Sequence, residues 1–192
     1  MIVACLGDSI TAGSPLWDPD PETRARIAQP DERSQWGWWA MHRDPELDLR
    51  NHGVYGERTD QIAARLEAAA RGAEALVVQG GINDVVQRRP VEEAARNLAG
   101  MVETGRRLGL RVALVDVLPW SNGDGRAASD IEGLNALIGV LSEGLDVELL
   151  PFHDTLVDPD RPHRMGSGWS DDGDHPSIEG HRLLGERAFR RF

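Results

Sequence analysis

The stretch "IVACLGDSITAG" (residues 2–13) is apolar almost without interruption until it stops at Gly7-Asp8-Ser9. So short and continuous a run reads as a strand covered on both faces. Gly, Asp and Ser each favour turns for backbone reasons, and serine is a good helix cap. The stop by itself therefore marks only the end of a strand. Whether Ser9 is a turn residue or a nucleophile held at a strand end depends on what the rest of the chain brings to it.

Four further apolar runs follow: "LDLRNHG" (47–53), "ALVVQGG" (75–81), "RVALVDVLP" (111–119) and "VELLPF" (147–152). Amphipathic stretches lie between them. Ile62 and Leu66 are spaced for one helix face within 59–71. Pro90 opens a helix with Val91, Ala95, Leu98 and Val102 on one side, a suitable first-turn position for proline. "SDIE" (129–132) reads as a capping box ahead of Leu134, Leu137, Ile138 and Leu141. Residues 177–190 read as a closing helix. Strand and helix alternate five times, which predicts a parallel sheet with helices on both faces. Right-handed crossovers make this a three-layer α/β/α sandwich on a five-stranded parallel sheet, within a single domain over residues 1–192. Residues 15–35, rich in Pro and acids, break the rhythm and read as a long loop after Ser9, a candidate lid or pocket wall.

Composition narrows the function. The 192 residues carry a net charge of -11, which argues against a nucleic-acid or anionic-membrane partner. All 21 basic residues are arginine, so a GxxxxGK phosphate loop and a lysine Schiff base are both impossible. The single cysteine, Cys5, allows no disulfide framework and no thiolate metal cluster, and its place in the first run suits a small buried hydrophobe. No basic-then-apolar leader precedes that run and no window reaches membrane-span length, so the expected location is the cytoplasm, without membrane insertion.

In an open parallel sheet, ligands bind beyond the carboxyl ends of the strands. Those ends carry Asp8-Ser9, then "NHGVYGERT" (51–59), then "GGINDV" (80–85), while "SDDGDHPS" (170–177) precedes the last helix. A serine, a histidine, a carboxylate and several amide donors are the inventory needed for acyl transfer. "GDSITAG", "NHGVYGERT", "GGIND" and "DGDHP" resemble, in order and along nearly the whole chain, the four blocks of the GDSL, or SGNH, hydrolase superfamily of esterases and lipases. One GDS tripeptide means little; four ordered blocks are specific.

The resemblance implies the flavodoxin-like SGNH hydrolase fold and assigns roles. Ser9 is then the nucleophile, His175 its general base and later acid, and Asp172 the residue that fixes the imidazole tautomer. Asp171 and Asp174 compete for that last role, with the spacing favouring Asp172. The oxyanion hole comprises the Ser9 and Gly56 backbone N–H groups and the Asn83 amide. No cofactor and no metal are expected: His175, Asp172 and His163 show no recognised zinc spacing. Asp8 is read as holding the turn, Asp84 as a cap, and His52 as the histidine outside the triad nearest the site. Trp36, Trp38 and Trp39 are expected to pack against the sheet. Trp17, Trp120 and Trp169 are candidate pocket walls, because aromatic side chains supply large apolar area.

The expected activity is that of a serine esterase acting on a small-molecule ester. Short, acetyl-like acyl groups on a carbohydrate or small alcohol are favoured, since no long apolar tunnel is evident. The alternatives are a lysophospholipase or thioesterase acting on longer chains, and a non-catalytic carbohydrate-binding relative. A nucleotide-binding module is disfavoured, because the acid beside the first turn would repel phosphate.

Overall fold

The computed structural model describes residues 1–192. All five apolar runs form strands: β1 (Ile2–Gly7), β2 (Asp48–Gly53), β3 (Ala75–Val78), β4 (Arg111–Val115) and β5 (Glu148–Leu150). They pair in parallel in the order β2-β1-β3-β4-β5. β3 and β4 stop short of the predicted ends, so residues 79–81 and 116–119 are free to build the rim.

Alternate residues of each central strand enter different cores. Ala4, Leu6, Leu76, Val78, Val112 and Leu114 face one side, where they meet helices α4 (Thr59–Ala64), α5 (Leu66–Ala69), α7 (Val91–Arg107) and α8 (Gly125–Gly144). Val3, Cys5, Ala75, Val77, Ala113 and Val115 face the other. That side is covered by α1 (Ser9–Ala12), α3 (Trp36–Arg43), α9 (Phe152–Leu156), α10 (Ile178–Leu183) and a π turn at Leu184–Ala188. Both faces are thus apolar and covered, as continuous strands require. Two short helices, α2 (Pro21–Arg24) and α6 (Ile82–Val86), and a small antiparallel ribbon, β6 (Val157–Asp158) with β7 (Arg161–Met165), complete the structure. No helix is long and apolar enough to cross a membrane.

Several local readings are corrected. α8 starts at Gly125, capped by the Asp124 side chain on the Ala127 N–H, so "SDIE" lies inside the helix and caps nothing. An Asx cap one turn earlier satisfies the same orphan donors. Pro90 occupies the N-cap, with α7 beginning at Val91. The segment 59–71 is two short helices broken at Arg65. The closing helix becomes a π turn after Leu183 and ends at Ala188. Of the clustered tryptophans, only Trp36 is a core residue, packed on Phe152 and Phe189. Trp38 and Trp39 are half-buried, edge to face with each other.

The strand order places Ser9. β2 lies on one side of β1 and β3 on the other, so the crossovers leaving β1 and β2 diverge and a crevice opens at the carboxyl end of β1. Ser9 stands at that end.

Candidate active site

Ser9 opens the one-turn helix α1, with Asp8 as its N-cap. The Asp8 carboxylate accepts from the Ile10 N–H at 2.9 Å, and its backbone N–H donates to Gln79 Oε1 at 3.2 Å. Thr11 Oγ1 donates to the same Gln79 oxygen at 2.9 Å, so one side chain from the end of β3 clamps the turn leaving β1. Asp8 is fully buried and its Oδ2 has no partner. Burial pushes its pKa up to about 6, against the hydrogen bond from the Ile10 N–H that lowers it. The predicted turn-holding role of Asp8 is the one observed.

The structure brings Ser9, His175 and Asp172 together. His175 Nε2 lies 3.2 Å from Ser9 Oγ, and His175 Nδ1 lies 2.8 Å from Asp172 Oδ2. Asp172 Oδ1 accepts the backbone N–H groups of His175 (2.7 Å) and Asp174 (2.8 Å), so carboxylate and imidazole belong to one turn. Burial pushes the Asp172 carboxyl up, but the hydrogen bonds from His175 and Asp174 outweigh it and hold the group below its ordinary value. Asp174 is engaged elsewhere: its Oδ1 accepts Trp120 Nε1 at 2.6 Å and Asn122 Nδ2 at 2.8 Å. Asn122 Nδ2 also donates to the Asp172 carbonyl, and Ser121 N–H to that of Gly173. The loop after β4 thus buttresses the 172–175 turn.

The donors expected around the developing charge follow the carboxyl ends of three neighbouring strands. β1 carries Ser9, and its two neighbours lead into Gly56 (after β2) and Asn83 (after β3). Neither the Ser9 nor the Gly56 N–H donates within the protein. Gly56 has φ +76, and no atom lies within 4 Å of where its Cβ would be. Its backbone conformation, rather than crowding by the protein, calls for glycine. Gly53 is the opposite case: a Cβ there would sit 2.1 Å from the Ala12 nitrogen, so α1 can approach β2 only over a glycine. Asn83 Nδ2 donates to the Glu57 carbonyl at 2.9 Å. Asp84 is a cap as expected, but for another helix: it accepts the Thr59 N–H and hydroxyl, both at 2.9 Å, at the start of α4.

One residue that the sequence reading passed over ties these parts together. Arg65 Nε donates to Glu57 Oε2 at 2.8 Å, and its other nitrogens donate to the His52 carbonyl (3.0 Å) and the Gly7 carbonyl (3.1 Å). The helix break at Arg65 lets this guanidinium return to the ends of β1 and β2. Nothing in a lone arginine on an amphipathic stretch signals such a contact.

Ser9 and His175 open into a cleft of about 150 Å³ walled by Ile10, Tyr55, Ile82, Val86 and Trp120. Of the three candidate tryptophans, Trp120 alone lines it. Trp17 stacks against the Arg24 guanidinium at 4.6 Å, and Trp169 packs against the core beneath Gly166 and Gly180. Both lie on flanking loops whose direction their residue type does not encode. Tyr55, the only tyrosine, is 66 % exposed, with its ring 6.2 Å from that of His175. Residues 15–35 do not wall this cleft; their acidic part borders a neighbouring basin, as does His52. No group of three His, Cys, Asp or Glu side chains is spaced to hold a metal ion.

This fold and rim belong to the hydrolases built on a three-layer α/β sandwich. The chain is a member of the GDSL-like lipase/acylhydrolase family, whose family model matches residues 5–183, and it is a carboxylic ester hydrolase. No curated protein matches it in sequence. Among solved structures it is similar to a G-D-S-L family lipolytic protein from Desulfitobacterium hafniense DCB-2, with a TM-score of 0.80, 21% identity, and 96% of this chain and 95% of that one covered. It is similar to TesA, with a TM-score of 0.75, 21% identity, and 97% and 94% covered. It is also similar to an acetyl xylan esterase from Geobacillus stearothermophilus, with a TM-score of 0.72, 17% identity, and 97% and 91% covered. At these identities the likeness is one of fold.

Proposed function

We propose that the protein is a serine esterase cleaving short-acyl esters of a carbohydrate or small alcohol through an acyl-enzyme. The observation that carries this reading is the continuous chain from Asp172 Oδ2 through His175 to Ser9 Oγ, with contacts of 2.8 and 3.2 Å. Ser9 Oγ attacks the ester carbonyl carbon while its proton passes to His175 Nε2. The resulting oxyanion is held by the Ser9 and Gly56 N–H groups and the free N–H of Asn83. Collapse breaks the bond to the alkoxide, which takes the proton from His175 and leaves as the alcohol. A water molecule, deprotonated by His175, then releases the carboxylic acid and restores Ser9. Asp172 keeps the imidazole oriented and stabilises its charged form.

The small volume of the cleft, lined by Ile10, Ile82 and Val86 as well as Ser9, supports a short acyl group over a long one. Turnover of p-nitrophenyl acetate is expected to vanish in Ser9→Ala while the fold persists, and a fluorophosphonate is expected to label wild type only. Full turnover by a folded Ser9→Ala protein would reject Ser9 as nucleophile. A series of acyl lengths, with sugar acetates included, is expected to fall sharply beyond two carbons. Activity rising with chain length would favour a lysophospholipase or thioesterase.

A further inference from the structure

Next to the catalytic cleft lies a second void that the mechanism above leaves unused. It holds about 80 Å³ and is walled mostly by apolar surface from Pro119, Ala128, Ile131 and Pro162, with His153 beside them. The exposed side chains of His163 and Glu132, 3.4 Å apart, stand at its edge. Helix α8 forms one side of it and the ribbon strand β7 another. Trp120 is the one residue common to the walls of this pocket and of the cleft that holds Ser9 and His175.

Trp120 is built as a fixed wall. Its Nε1 donates to Asp174 Oδ1 at 2.6 Å, an oxygen that Asn122 Nδ2 also reaches at 2.8 Å. Its benzo edge lies over Gly123, where a Cβ would stand 2.8 Å from Trp120 Cε3. The ring packs against the core that contains Ile131. The stem of the loop is held as well: Asn135 accepts the Val117 N–H at 2.7 Å and donates to the Val117 carbonyl at 2.9 Å. Tyr55, elsewhere on the cleft wall, stands largely in solvent and has no such anchorage.

We infer that Trp120 is the residue that sets acyl length: its indole divides one apolar channel into a short cleft for the acyl group and a rear pocket that a longer chain would need. The inference rests on the esterase reading above and assigns to one side chain the limit that reading expects. A chain too long for the cleft has two courses. It can run out into solvent and forgo burial, or it can displace the indole. Displacement breaks the bond to Asp174, which shares the 172–175 turn with the catalytic imidazole. A long chain would therefore enter only by loosening the base that must act on its ester. With the indole gone, the same chain meets apolar surface, where each added methylene is worth about tenfold or more.

The test is the ratio of kcat/KM for p-nitrophenyl hexanoate to that for the acetate, which cancels any general loss of catalysis. Trp120→Ala joins the two voids and is expected to raise this ratio at least tenfold over wild type. Trp120→Phe keeps a ring in place but lacks the N–H for Asp174. It is expected to lower both rates together and leave the ratio within twofold. Ala128→Leu narrows the rear pocket away from the catalytic residues. It is expected to leave wild type unchanged and to cancel the gain of Trp120→Ala. Should Trp120→Ala not fold, Trp120→Leu is expected to raise the ratio at least threefold. An unchanged ratio in the folded variant, or a gain that Ala128→Leu does not reduce, would overturn the inference and leave the esterase intact. The wild-type ratio tests the short-acyl reading and the change between proteins tests Trp120, so the two can fail separately. If no ester is turned over, the esterase reading fails. The partition is then judged by saturation-transfer NMR of methyl hexanoate on Trp120→Ala protein: a terminal-methyl signal that Ala128→Leu abolishes supports it, and no signal overturns it.

Discussion

The Asn83 side-chain amide donates one hydrogen to the Glu57 carbonyl at 2.9 Å. That bond fixes the amide plane and leaves its second N–H unused by the protein, on a residue lining the catalytic cleft. Asn83→Ala is therefore expected to cut kcat by about 10²–10³, or about 2.7–4 kcal/mol of barrier, with little change in KM. Asn83→Asp should be worse, because a carboxylate would oppose the developing oxyanion. Steady-state kinetics on p-nitrophenyl acetate checks both.

Asp172 holds the 172–175 turn through one oxygen and the imidazole through the other. Asn at this position can still accept the two backbone N–H groups but presents the wrong partner to Nδ1. Asp172→Asn is expected to keep its melting temperature and lose about 10⁴-fold in kcat/KM. A loss of a few-fold would count against Asp172 as the orienting carboxylate.

Arg65 joins the Gly7 and His52 carbonyls to the Glu57 carboxylate, so it sets the spacing between the turn carrying Ser9 and the loop carrying Gly56. A planar fork does this; an ammonium cannot reach all three acceptors. Arg65→Lys is expected to lower kcat by about tenfold to a hundredfold, the range that follows from small misplacement of reacting groups, with KM changing much less. Affinity for a boronate transition-state analogue should fall in parallel with kcat, which a general loss of stability would not produce.

Two buried groups give stability opposite slopes with pH. Asp8, pushed from an ordinary 3.8 up to about 6 chiefly by burial, binds its proton more tightly folded than unfolded. Its contribution is complete below pH 3.8 and is lost as pH rises through about 6. His181, fully buried with neither ring nitrogen partnered, is pushed from 6.5 down to about 3, chiefly by burial. The unfolded chain takes up that proton first, so stability present above pH 6.5 is lost as pH falls toward 3. Urea denaturation across pH 4 to 8 should show Asp8→Asn removing the decline towards neutrality. His181→Leu should flatten the acid limb, and it should not destabilise at pH 8, since it removes unmatched buried polar atoms.

What the sequence made legible were features written in local order. The five apolar runs gave the sheet, because continuous strands have few other uses. The spacing of Asp172 and His175 fits one turn, and the structure shows why Asp174 does not compete: Trp120 and Asn122 hold it. What escaped the sequence depends on direction in space. Trp17 and Trp169 look no different from Trp120 as letters, yet only Trp120 faces the cleft. Arg65 acts through a helix break, and Gln79 through a clamp across two strands; neither carries a local signature. The capping box at Ser129 matched its pattern but lost to Asp124, a cap that a motif search has no reason to rank higher.

The hydroxyl and the imidazole that meet across 3.2 Å are 166 positions apart, one following the first strand and the other preceding the last helix. Their meeting therefore requires the turn before α10 to pack against the end of β1, so the pair is assembled by tertiary folding and not by any local segment.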